Sequence, residues 1–169
     1  ISSISSSGKA PGTINIGTKA NGYSWKTSNV NNTSNTTRIP VNASAQYISN
    51  KLQTDLAGTG VSVEAKTRAL LGPIKSGTSG DISFKLEGKN TDPIFISATI
   101  DSTDISSLAK AINQYTSQTG LKAINTSDFE QIIIESEDGY DIGLTEITGP
   151  SYFNISSLGD DFKSLTDPL

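Results

Sequence analysis

Cysteine, histidine and methionine are absent from this 169-residue chain, and tryptophan occurs once. Without cysteine there is no disulfide and no thiolate to act as nucleophile or metal ligand. Without histidine the commonest general base near neutral pH is missing, and so is the commonest metal ligand. Charge is sparse: 13 Lys and Arg against 17 Asp and Glu leave a net -4 and a pI near 4.7, with the cations scattered rather than gathered into a stripe. Such a surface does not neutralise a phosphate backbone, so no nucleic-acid partner is expected. No apolar run approaches the roughly 18 residues of a membrane-spanning helix, and no charged-then-apolar leader opens the chain, so no membrane insertion is expected.

What is present is hydroxyl and amide. Ser and Thr supply 44 of the 169 residues and Asn another 12, a composition of strands, turns and polar surface. The 34% hydrophobic content is enough for a lean core. The chain opens on Ile1 in the Ser-rich "ISSISSSGKAPG", and residues 1–12 read as a junction to the rest of a longer protein.

The chain says one thing twice. "QYISNKLQTDLAGTGVSV" and "SSLAKAINQYTSQTGLKA" align at a constant offset, with Ile48 on Leu108, Leu52 on Ile112, Thr59-Gly60 on Thr119-Gly120 and Val63 on Ala123. Repetition of this kind marks a structural unit that gains from having a second copy. In the first copy "GTINIGTKANGYSWKT" alternates and turns at Asn21-Gly22, which predicts a hairpin. "SNVNNTSNTTRIP", 28–40, is polar and aperiodic and is expected as an exposed loop. Ala45, Ile48, Leu52 and Leu56 then fall at helical spacing over 43–56, Gly58 and Gly60 end the helix, and "VSVEAKTRAL" follows as one strand.

The second copy repeats the order. "DISFKLEG" and "PIFISATI" predict a hairpin around a turn at 89–92. Thr103 or Asp104 is placed to cap a helix whose apolar stripe is Ile105, Leu108, Ala109, Ile112 and Tyr115, with Gly120 closing it. "LKAINT" and "QIIIESEDGYDIGLTEI" supply further strands, the latter folded at Asp138-Gly139 as a tight turn. Tyr47 and Tyr115, one on each helix, are expected to anchor the helices to their sheets. The reading is an α+β protein of two related lobes, each a β-hairpin, one amphipathic helix and one or two further strands. The first lobe spans 13–74, a connector 75–80, the second lobe 81–149 and a C-terminal return segment 150–169.

Candidate chemistry is thin. Glu135, Glu137, Asp138 and Asp141 form an acidic cluster that could hold calcium, but Gly139 sits where a hairpin turn wants it rather than where a calcium loop does, so no metal is expected. Asp101 and Asp104, or Asp160 and Asp161, could pair as acids for glycoside hydrolysis, yet Asp104 is more simply a helix-start residue. A nucleophilic serine would need a lysine base, and no Ser-x-x-Lys stands at a strand-to-helix elbow. No catalytic residue and no cofactor is assigned. Tyr23 and Trp25 share a strand face and are the candidate interaction surface, with hairpin packing as the plainer reading. Asn31, Asn32, Asn35, Asn42, Asn125 and Asn154 begin Asn-x-Ser/Thr sequons, three of them crowded into one Asn-rich loop whose composition accounts for them.

The passage "AINQYTSQTGLKA" followed by "IIIESEDGYDIGL" resembles the flagellin and hook-associated IN motif, named for an Ile-Asn pair that is here Ile112-Asn113. The motif residues are Ile112, Asn113, Thr119, Gly120, Asp138 and Gly139, with Thr59 and Gly60 in the first copy, where Leu52 and Gln53 replace Ile-Asn. The resemblance covers 101–147 well and 41–67 less so. It implies a domain in the variable outer part of a flagellin, or a related hook-associated or cap protein, exported to the bacterial flagellum without a cleaved signal peptide. It also implies partners among other copies of the filament subunit, contact with glycans, host surfaces, antibodies or phage, and O-glycosylation of exposed Ser and Thr. The long terminal helices by which flagellins assemble are not in this sequence. The expected function is therefore a non-enzymatic structural domain shaping a filament surface for motility and adhesion. The alternative is a glycan- or host-binding module of an adhesin or phage tail fibre.

Overall fold

The computed structural model describes residues 3–6, 15–19, 22–28, 34–40, 43–58, 60–150 and 154–158, with backbone alone at 3–6, 15–19, 22–28, 34–38 and 157. Secondary structure is mixed, with helices and antiparallel sheets, as expected of an α+β chain. Two compact units divide at Ala65 and Lys66.

In the first unit β1 (Ser3–Ser6) pairs with β5 (Val61–Glu64), and β2 (Asn15–Lys19), β3 (Gly22–Ser28) and β4 (Ser34–Arg38) form a three-stranded meander. The hairpin turning after Lys19 is as the sequence predicts, with Lys19 opposite Gly22. The exposed loop expected over 28–40 is a correction, because Ser34–Arg38 is a strand paired with β3. A strand at a sheet edge needs only backbone partners, and "SNTTR" offers no apolar alternation to reveal it. Helix α1 (Ala45–Asp55) starts at Ser44, whose hydroxyl accepts the Tyr47 N–H at 3.1 Å. Leu52, Leu56, Val63 and Ile39 form a small core, joined by the half-buried Ala43, Ile48 and Val61.

The strand expected over "VSVEAKTRAL" is two. β5 ends at Glu64, and β6 (Thr67–Leu71) runs between β10 (Ile132–Ser136) and β12 (Ile155–Ser157) in the order β12-β6-β10-β9, where β9 is Lys122–Asn125. Residues 67–74 thus lie in the second unit, where Leu71 and Ile74 enter the core, and the expected connector 75–80 runs inside that unit into β7 (Ser79–Glu87). β7 is flanked by β8 (Ile94–Asp101) and β11 (Gly143–Thr148). Helix α2 (Ser106–Asn113), the short α3 (Thr116–Thr119) and β9 follow β8.

The alternation read in β7 holds, with Ile82, Phe84 and Leu86 buried and Asp81, Ser83, Lys85 and Glu87 on the other face. They meet Ile96 and Ile100 of β8, Leu108, Ala109 and Ile112 of α2, and Ile132 and Ile134 of β10 in one cluster. Each of the Ile, Leu and Phe side chains contributes about 1.5–3 kcal/mol by leaving water. The hairpin expected at Asp138-Gly139 is a further correction: the turn exists, with Gly139 at φ 76, but β10 and β11 belong to different sheets. Six residues, 137–142, separate the strands, too many for a two-residue hairpin, and β11 pairs with β7 instead.

Candidate functional site

Ile112 and Asn113 are neighbours on α2, and successive helical positions point about 100° apart. Ile112 is therefore fully buried while Asn113 stays at the helix margin beside β9. There its Nδ2 donates to the Ala123 carbonyl at 2.9 Å and its Oδ1 accepts the Ala123 N–H at 2.8 Å. The carboxamide, one donor and one acceptor in a plane, clasps both polar groups of one strand residue.

Thr119 and Gly120 finish the same helix–strand passage. Thr119 is fully buried with its groups satisfied: Oγ1 donates to Tyr115 O at 3.0 Å and accepts Leu121 N–H at 3.1 Å, and its carbonyl accepts Lys89 N–H at 2.8 Å. Gly120 takes φ 68, the left-handed cap that turns the chain into β9. The β7–β8 turn presses on this point. A Cβ at Gly88 would stand 2.2 Å from the Thr119 carbonyl oxygen and 2.9 Å from Leu121 Cγ. Asn90 holds that turn, accepting Gly88 N–H at 2.8 Å and donating to Asp92 O at 2.8 Å.

The first copy has a clasp of its own. Gln53 Oε1 accepts the Val63 N–H at 2.9 Å, and Ser49 Oγ donates to the Val63 carbonyl at 3.2 Å. Gly60 again takes positive φ, 78, while Thr59 lies outside the described residues. The signal was in the alignment, which sets Gln53 on Asn113 and Val63 on Ala123. Both are carboxamides, and the longer side chain reaches from a shifted backbone position.

The acidic cluster is divided among partners. Glu135, buried in β10, pairs with Arg68 of β6 directly across the ladder, and Lys66 Nζ reaches Glu137 at 2.5 Å. The hydrogen bond from Lys66 holds the Glu137 carboxyl below its ordinary range, and the same bond raises the Lys66 ammonium. Asp138 is exposed, Gly139 is buried, and Ser136 Oγ accepts the Tyr140 N–H at 3.0 Å. Asp101 and Asp104, the candidate acid pair, are occupied with the start of α2. Asp101 Oδ1 accepts from Thr103 Oγ1, Thr103 N–H and Asp104 N–H at 2.6, 2.8 and 3.0 Å, and Asp104 Oδ1 accepts Ser106 N–H at 2.8 Å. The Thr103 hydroxyl, foremost, lowers Asp101, and the Ser106 amide lowers Asp104. Asp160 and Asp161 lie outside the described residues. No group of three or more ligating side chains is gathered among the described residues.

Tyr23 and Trp25 stand on β3 opposite Thr18 and Ile16, and their side chains lie outside what is described. Tyr115 packs on the second core, as expected of a helix anchor, while Tyr47 is 40% exposed. Sequence reading also missed the exposed aromatics Phe95, on β8, and Phe129, which sits at φ 61 in the β9–β10 loop. Of the sequons, Asn31, Asn32 and Asn42 fall outside the described residues, Asn35 lies on β4, Asn154 is exposed, and the Oδ1 of Asn125 is buried. No described helix is long and apolar enough to cross a membrane.

Compared with known families, residues 81–138 match the model of the flagellin hook IN motif. The match runs from β7 through the β7–β8 hairpin, α2, α3, β9 and β10 to Asp138, so it begins earlier, and ends earlier, than the 101–147 read from the sequence. No curated protein matches the sequence.

Proposed function

We propose that this flagellin-related chain, which carries the hook IN motif over residues 81–138, is a surface-exposed structural domain of a flagellar filament protein. It would stand on the outside of the filament, setting its width, its surface chemistry and the contacts between neighbouring copies. The observation that supports this reading is where the motif residues point. Asn113 joins α2 to β9 through both of its hydrogen bonds, Thr119 ties the end of α3 to Leu121 and to the β7–β8 turn, and Gly120 caps α3, so these motif residues serve the architecture. Partners are other copies of the subunit, and the hydroxyl-rich exterior is the surface that antibodies, phage and host glycans would meet.

Antibodies raised against the 169-residue chain test the reading by immunogold microscopy of flagellated cells. Label along the whole filament is the expected result. Label confined to the filament tip or to the hook junction would move the chain to a cap or hook-associated protein. Absence of label from flagella would overturn the reading. An in-frame deletion of the chain's coding segment is expected to leave thinner filaments that still assemble.

A further inference from the structure

A residue in an antiparallel ladder aims its N–H and C=O the same way, either both at its neighbour or both away. At a sheet edge the outward pairs are a template for another strand, and proteins that persist as defined particles cover them. Among the described residues β9 ends the order β12-β6-β10-β9, and β5 has β1 as its single paired strand. At each edge the outward pair of one strand residue, Ala123 on β9 and Val63 on β5, is covered by side chains of the preceding helix. Asn113 takes both groups of Ala123, and Thr119 Oγ1 takes the N–H of Leu121, the residue just before the strand begins. At β5, Gln53 takes the Val63 N–H and Ser49 the Val63 carbonyl.

We infer that these side chains are edge stops, in which a carboxamide occupies the place of a neighbouring strand's peptide group and closes β9 and β5 to strand addition by another copy of the chain. A carboxamide suits the task because it reproduces the donor and acceptor of a peptide. The second unit uses one residue, Asn113, for both bonds. The first divides them between Ser49 and Gln53, which are four apart and so lie on one face of α1. Ser49 aligns with Ala109, which is buried and apolar, so the donor and acceptor moved together to the next turn in the second copy. The same edge position is thus closed twice by different residues, which is what a requirement on the edge, rather than on a particular side chain, produces. Contacts between crowded copies are then directed to other surfaces.

Asn113→Ala in the 169-residue chain is the test. It uncovers both groups of Ala123 while removing little volume. The expected result is association that grows with concentration in sedimentation velocity, with the Ala123 amide exchanging about tenfold faster in dilute samples and protected again in the assembled ones. Asn113→Asp still accepts the N–H, cannot donate to the carbonyl, and places a charge where a strand would dock, so it is expected to stay monomeric. A folded Asn113→Ala protein that is monomeric at every concentration overturns the inference. Equal association of Asn113→Asp does so too, since it would trace assembly to general loosening. If Asn113→Ala does not fold, Ser49→Ala combined with Gln53→Ala gives the same readouts at Val63, and a monomer there is equally decisive.

Discussion

Arg68 and Glu135 meet across the β6–β10 ladder with side chains 12% and 9% exposed. At that burial the pair holds two desolvated charges, and the consequence of losing one differs from that of losing both. Glu135→Ala leaves the guanidinium without its carboxylate and is expected to cost about 3–5 kcal/mol in urea unfolding. Arg68→Met with Glu135→Leu is expected to be neutral within about 1 kcal/mol or stabilising, and a double variant as unstable as the single would contradict this account. Neither partner was legible as a pair in the sequence. Glu135 read as one of four clustered acids, and its partner stands 67 residues away, a distance over which a single sequence gives no register. Gln53 is the opposite case: the internal alignment placed it on Asn113, and only the difference in side-chain length made it look degenerate.

Elements with their own periodicity were legible, and those without it were not. The β7 alternation and the α2 stripe read directly because each buries one face. β4 did not, since a polar edge strand carries no burial signal. The break between β5 and β6 was nearly silent: in "VSVEAKTRAL" only the strand-poor Glu64-Ala65-Lys66 marks it, with no glycine or proline to force a change of sheet. At Asp138-Gly139 the local chemistry was right about the turn and could not say which strand β11 would join. The β7–β8 turn offers a test at this scale. Gly88 lets it approach the end of α3, and Gly88→Ala would drive a methyl into the Thr119 carbonyl, a backbone atom that cannot swing aside. The expected loss is at least about 2 kcal/mol, with the Lys89 amide, which donates to the same carbonyl, losing hydrogen-exchange protection first.

Across the whole molecule the lack of histidine leaves stability without a titrating group of ordinary pKa near neutrality. Carboxylates govern the acid side. Asp101, Asp104 and Asp128 accept hydrogen bonds that lower them below 3.8, and Glu137 lies below 4.5 because of Lys66. Each binds its proton more weakly when folded, so its contribution is complete above those ordinary values and is lost as pH falls through the lowered ones. Lys66, raised above 10.5, contributes below that value and loses its contribution as pH climbs through the raised one. Urea midpoints are therefore expected to be level around neutrality, to fall below about pH 4, and to fall again in strong alkali. Asp101→Asn and Asp128→Asn should flatten the acid limb, and a midpoint that rose on acidification would contradict the assignment.

β6 has another consequence when the chain is followed in time. Its neighbours β10 and β12 both come much later in the sequence, so a chain appearing N-terminus first holds Thr67–Leu71 as a lone ribbon through the emergence of β7, β8, α2 and β9. The central ladder of the four-stranded sheet closes only when Ile132–Ser136 has arrived, and its edge pair with β12 later still. The second unit is thus completed in the order of the chain by strands that lie beyond residue 131.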